Sequence, residues 1–102
     1  MERRLRLQEE LESILGSRNV YFQPTESVLL EYPCIIYSLS TASQVRADDK
    51  LYLYTPRYTV TVIQDDPDSE IYLEILEHFT HCSYDRRYVA DNLYHDALTL
   101  YY

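Results

Sequence analysis

The chain has 102 residues and a formal net charge of −8 at pH 7, with 46% hydrophobic and 25% charged residues. This length and balance predict one folded domain over residues 1–102 and argue against disorder. Gly16 is the single glycine. Because glycine-rich phosphate loops need several such residues, they are excluded, and the acidic balance argues against generic nucleic-acid binding through a basic surface.

The first 15 residues are interrupted by charges and contain no apolar run long enough for a signal peptide or a membrane span. We therefore expect a protein that is made and kept in a cytoplasm, without membrane association. In that compartment, Cys34 and Cys82 are expected to be buried free thiols.

Two helices are predicted. Residues 2–16 carry an apolar stripe at helical spacing and end at Gly16, a residue suited to a helix C-terminus. The stripe consists of Leu7, Leu11, Ile14 and Leu15. The acidic residues of 65–70, interrupted by Pro67, are interpreted as the capped start of a second helix that continues to about His81.

Strands are predicted where β-branched and aromatic residues concentrate, over residues 19–22, 34–39, 51–54, 57–64, 83–90 and 93–102. The polar segment 40–50 is predicted to be a loop or arm, and Pro56 to interrupt the strand pattern. Asp91 and Asn92 form a turn-prone pair between the last two strands. The predicted fold class is α+β, with two helices on one face of a mostly antiparallel sheet and the order α-β-β-(loop/arm)-β-α-β-β.

No motif predicts catalysis. His78, His81 and Cys82 have some of the character of a zinc site, but no Cys-x-x-Cys pair accompanies them, so a polar helix end with a buried thiol is the favoured interpretation. The groups Asp85-Arg86-Arg87 and Asp91, His95, Asp96 are typical of solvated strands and turns. We predict no enzyme, no metal and no cofactor.

Twelve tyrosines are the compositional outlier. Many suit half-buried strands, but tyrosine is also a rigid anchor at protein interfaces. Twelve of them in so small a domain favour at least one protein partner. Tyr52 and Tyr54, beside the polar segment 40–50, are the predicted contact.

Three segments together resemble a known family: VYFQPTESVLLEYPCIIYSL (20–39), RYTVTVIQDDPDSEI (57–71) and CSYDRRYVADNLYHDALTLYY (82–102). They are similar to the tail terminator, or tail completion, neck proteins of long-tailed bacteriophages. The resemblance implies a virion protein, assembled in the host cytoplasm, whose hexameric ring caps the tail tube, stops its polymerisation and joins it to the head connector. The implied partners are further copies of the chain, the tail tube protein and the neck proteins.

A closed ring needs a head-to-tail interface, which an exposed strand or arm can supply. The candidate interface residues are Arg46, Lys50, Tyr52 and Tyr54. Six copies at −8 each carry a formal charge of −48. If part of that charge lines the lumen, DNA would pass without specific binding because like charges repel.

Three alternatives remain open at this stage. The first is a head–tail joining or head-completion neck protein, which needs the same kind of small, interface-rich domain. The second is an acidic regulatory module that binds a host protein or mimics DNA. The third is a small metal- or thiol-dependent enzyme that uses Cys82 with His78 and His81.

Overall fold

A computed structural model describes the backbone of residues 2–25, 27–47 and 50–102, and the side chains of 3–25, 27–40 and 56–102. The elements in chain order are α1 (Glu2–Leu15), β1 (Val20–Phe22), β2 (Cys34–Ala47), β3 (Lys50–Gln64), α2 (Ile71–His78), β4 (Cys82–Ala90) and β5 (Leu93–Tyr101). The strands form one sheet in the order β1-β2-β3-β5-β4, in which only the β1–β2 pair is parallel. The predicted α+β class and its mostly antiparallel sheet are confirmed.

Both helices pack on the same face of this sheet. The strand residues on that face are Ile35, Tyr37, Tyr58, Val60, Val62, Leu98 and Leu100, and all are buried in the core. Leu7 and Leu11 of α1 and Ile75 of α2 are completely buried against them. The apolar spacing seen in the sequence therefore marks the faces that pack on the sheet.

Two turns follow the predicted chemistry. α1 ends at Leu15 and Gly16 follows with φ +82°, a left-handed conformation that is easy only for glycine. Its amide donates to the carbonyl oxygen of Glu12 at 2.8 Å. Asp91 and Asn92, with φ +52° and +63°, form the tight turn of the β4–β5 hairpin.

The interpretation of residues 65–70 as a helix start is wrong. α2 begins only at Ile71, and its N-cap residue Glu70 makes no side-chain capping bond. The acidic residues instead form a turn in which Asp66 Oδ1 accepts a hydrogen bond from the Asp68 amide at 2.9 Å. α2 also ends at His78, earlier than predicted, because the chain becomes extended at Phe79.

The loop predicted over residues 40–50 is also wrong for the part that the structure describes. β2 continues to Ala47 and β3 starts at Lys50, while residues 48 and 49 lie outside the described residues. Pro56 does not interrupt β3. Pro56 lies opposite Ala42 in β2, at the end of the β3–β5 pairing, where its carbonyl oxygen accepts a hydrogen bond from the Tyr102 amide at 3.3 Å.

Candidate interaction surfaces

A two-stranded arm extends beyond the five-stranded sheet. β2 and β3 remain paired from Thr41 opposite Arg57 to Ala47 opposite Lys50. β1 pairs with β2 only at 35–37, and β5 leaves β3 at Arg57. From Thr41 to Ala47 the strand advances by six residues, and at about 3.3 Å per residue the arm is roughly 20 Å long. The longest dimension of the molecule is accordingly 50 Å, against 27 and 24 Å in the other directions.

All four predicted interface residues lie on this arm, in strands rather than in a loop. Arg46 is opposite Leu51 in the register, Lys50 is opposite Ala47, and Tyr54 is opposite Gln44. Tyr52 lies on β3 between two of these positions. Their backbone is placed, whereas the side chains are outside the described residues.

Two of the residues considered for a zinc site, His78 and Cys82, have separate surroundings. His78, at the end of α2, contacts Glu10, whereas Cys82 starts β4 and is half-buried. Burial, with the nearby Asp85 carboxylate, raises the pKa of Cys82 to about 11, so it is a thiol at neutral pH. Within the described part of the chain, no three His, Cys, Asp or Glu residues are grouped to hold a metal ion.

Glu10 links both helices to the end of the sheet. Its Oε1 lies 3.0 Å from His78 Nε2, and its Oε2 accepts a short hydrogen bond from the hydroxyl of Tyr102. Burial by itself would raise the pKa of Glu10. The hydrogen bonds from Tyr102 and His78, together with the positive charges of His78 and Arg6, outweigh burial and lower this pKa below 4.5.

We expect the Glu10 carboxylate to stabilise the fold in a pH-dependent way. Because its pKa is lower in the folded chain, the contribution is complete above about pH 4.5 and is lost as the pH falls through the folded-state pKa. Urea midpoints measured from pH 7 to pH 3 should fall less steeply for Glu10→Gln than for the wild-type chain. Glu9→Gln, on an exposed residue of the same helix, serves as the control. If the urea midpoint decreased equally between pH 7 and pH 3 in all three proteins, the Glu10 carboxylate would not stabilise the fold in this pH-dependent way.

A basic cleft, defined by Arg3, Arg6, His81, Tyr101 and Tyr102, lies where the start of α1 meets the end of β5. Its volume is about 370 Å³. Burial and the Glu10 carboxylate raise the pKa of Tyr102, whereas Arg6 and Arg3 act in the opposite direction, so both guanidinium groups lie close to this phenol. No local pattern in the sequence marks this cleft, because it combines residues from the two ends of the chain.

A polar network around Asp96 was also missed, and the interpretation of this residue as solvated is wrong. Asp96 is fully buried and accepts hydrogen bonds from Arg87 Nε at 2.8 Å, Tyr84 at 2.9 Å and Gln64 at 3.2 Å. Asp96 alternates with Leu98 and Leu100, and that spacing was a usable signal for an inward-facing position. The network joins the three strands β3, β4 and β5.

Comparisons of the chain with protein-family models, curated proteins and solved structures found no match. In the described residues, neither helix is long and apolar enough to cross a membrane.

Proposed function

We propose that the chain is a structural protein of tailed-phage virion assembly, a tail terminator whose copies close into a hexameric ring on the tail tube. In this role the chain acts by contact and carries out no catalysis. The observation that carries the proposal is the two-stranded arm. The similarity of residues 20–39, 57–71 and 82–102 to tail terminator proteins supplies the specific role.

The arm supports an assembly role because a two-stranded hairpin has little stability of its own in water. Beyond Arg57 the arm has no third strand among the described residues, since β1 pairs with β2 only at 35–37 and β5 pairs with β3 only at 57–64. A ribbon of this kind gains stability when another protein surface covers it. A neighbouring copy fits this requirement, because an arm that contacts a different surface of the next copy forms a head-to-tail interface that can close into a ring.

The ring would present the tail tube on one side and the head connector on the other. Its formal charge of −48 for six copies would keep the DNA that passes through it from adhering. A head–tail joining protein of the neck is the second candidate, because it would use the same kind of interface with a different partner.

The test is the molar mass by light scattering over a range of concentrations, with and without purified tail tubes. We expect a hexamer, alone or on the tubes, and arrest of tube growth. A persistent monomer that ignores tubes but binds the head connector would favour the joining protein instead. Binding to neither would leave an acidic regulatory module as the better interpretation.

The arm has its own prediction. Tyr52→Ser/Tyr54→Ser should weaken self-association by at least roughly tenfold, because aromatic residues dominate interface energies. The matched control is Tyr32→Ser, which changes a tyrosine that is exposed but lies away from the arm. Equal masses for the wild-type chain and the double variant at every concentration would exclude these two tyrosines from the interface.

A further inference from the structure

An acidic turn, defined as residues 65–70, carries four carboxylates in six positions. Asp65, Asp66, Asp68 and Glu70 are all exposed. None of them forms an ion pair, since the pairs among the described side chains are His78–Glu10 and Arg87–Asp96. The helix start that would account for these acids lies after them, at Ile71. Their mutual repulsion would be relieved by cations from outside the chain.

The acidic turn is held in one shape. The Ser69 amide donates to the carbonyl oxygen of Asp66 at 3.2 Å, in addition to the Asp68–Asp66 bond. Arg87 Nη1 donates to the carbonyl oxygen of Pro67 at 2.8 Å while the same guanidinium binds the buried Asp96. The carboxylates are therefore presented on a backbone anchored to the sheet, which lowers the entropy lost on binding.

The basic cleft has complementary charge. The side chains of Arg3, Arg6 and His81 make no hydrogen bond or ion pair with other described residues. Glu10, the nearest acid, is already engaged by Tyr102 and His78. Two of the chain's nine Lys and Arg residues line this concave surface without an ion pair among the described side chains, and the charge of Arg6 also acts on the nearby Glu10 carboxylate.

The two features lie at opposite ends of the sheet. The acidic turn follows Gln64, which pairs with Tyr94 near the start of β5, and the basic cleft contains Tyr101 at the end of the same strand. Seven residues of strand separate these positions by roughly 23 Å. Within one copy, the acidic turn and the basic cleft are therefore too far apart to contact each other. The turn of one copy can contact the cleft of a second copy in a head-to-tail arrangement.

We propose that the acidic turn of one copy docks into the basic cleft of the next copy. The inference rests on the proposed function for its biological role, since it assigns an electrostatic contact to the self-assembly proposed above. The contact is heterologous, so an open assembly keeps one free turn at one end and one free cleft at the other until the ring closes. It is distinct from the arm, and the two contacts can be removed separately.

Charge reversal with light scattering tests the proposal. Arg3→Glu/Arg6→Glu makes the cleft acidic, and Asp65→Arg/Asp68→Arg/Glu70→Arg gives the turn a net positive charge while keeping Asp66, which forms the bond inside the turn. At about 25 mM salt we expect each variant alone to associate at least tenfold more weakly than the wild-type chain. An equimolar mixture should regain association, because every contact in an alternating assembly again joins opposite charges. A ring of six copies can alternate the two variants without a mismatched contact, because six is an even number.

Two control variants match the net charges. Arg18→Glu/Arg86→Glu makes the same change in charge as the cleft variant, and Glu31→Arg/Glu74→Arg/Glu77→Arg makes the same change as the turn variant, all at exposed positions. Their association should stay within about twofold of the wild-type value. Thermal unfolding of each variant verifies that it is folded, since none of the reversed side chains belongs to the core.

The outcomes separate this inference from the proposed function. A wild-type chain that associates while both reversed variants associate equally well would overturn the docking contact and leave ring formation, through the arm, intact. A wild-type chain that stays monomeric in low salt would also overturn the contact, and tail-tube capping would then decide the proposed function independently. Loss of binding to a short DNA duplex by the cleft variant, with unchanged self-association, would reassign the cleft to nucleic acid and overturn the proposal.

Discussion

Replacing Asp96 by alanine should destabilise the fold by about 2–4 kcal/mol, because the change leaves the buried Gln64 amide and the Arg87 guanidinium, whose side chain is 30% exposed, without their acceptor. Asp96 has no exposed surface, and Arg87 binds it through two nitrogens at 2.8 and 3.0 Å. Without the carboxylate, Tyr84 and Gln64 also lose an acceptor. The free energy of unfolding, measured with urea at pH 7, gives the loss directly.

Two further variants make this test specific. Asp96→Asn keeps the shape and some hydrogen bonds but removes the charge, so we expect a smaller loss of about 1–3 kcal/mol. Asp68→Asn, on the exposed acidic turn, should change stability by less than about 0.5 kcal/mol. If Asp96→Ala cost no more than the Asp68 variant, the network would not contribute to stability.

The second large effect is expected at the helix α1. Leu11→Ala should cost about 2–5 kcal/mol, because it removes a fully buried side chain between α1 and the sheet and leaves a cavity. A 14-residue helix is marginal without tertiary contacts, so its helicity should decrease together with stability. Urea unfolding followed by circular dichroism measures both quantities.

The matched control for Leu11 is Leu5, on the same helix but 46% exposed. Leu5→Ala should cost less than about 1 kcal/mol, because its side chain is largely in water already. Equal losses in the two variants would mean that α1 does not pack against the sheet as described.

The predictions that succeeded rest on local patterns with a direct physical cause. The apolar stripe of residues 2–16 repeats with the helical period, so it marks a buried face wherever the helix packs. Gly16 and the pair Asp91 and Asn92 mark turns because their backbones tolerate positive φ at low cost. Residues 57–64 are rich in β-branched residues, and they form the part of β3 at the centre of the sheet, where 57–63 pair with β2 and 57–64 pair with β5.

The errors occurred where a distant part of the chain decides the structure. The segment 40–47 is polar and has weak strand character, yet pairing with residues 50–57 extends it into the arm. Asp96 was interpreted as solvated because neither Arg87 nor Tyr84 can be recognised as its partner from spacing along the chain. Acidic residues near a helix suggested capping, but the turn closed on itself before the helix began.

The amino-acid sequence by itself determined the fold class, the buried face of α1, the β4–β5 hairpin and the acidic charge, since each depends on residues close together in the chain. Only the tertiary structure decided which charges are paired, how far the arm extends, and that the basic cleft and the acidic turn lie at opposite ends of the sheet. These features join positions as distant as Arg3 and Tyr102. Such contacts form only when the whole chain packs, and local spacing carries no information about them.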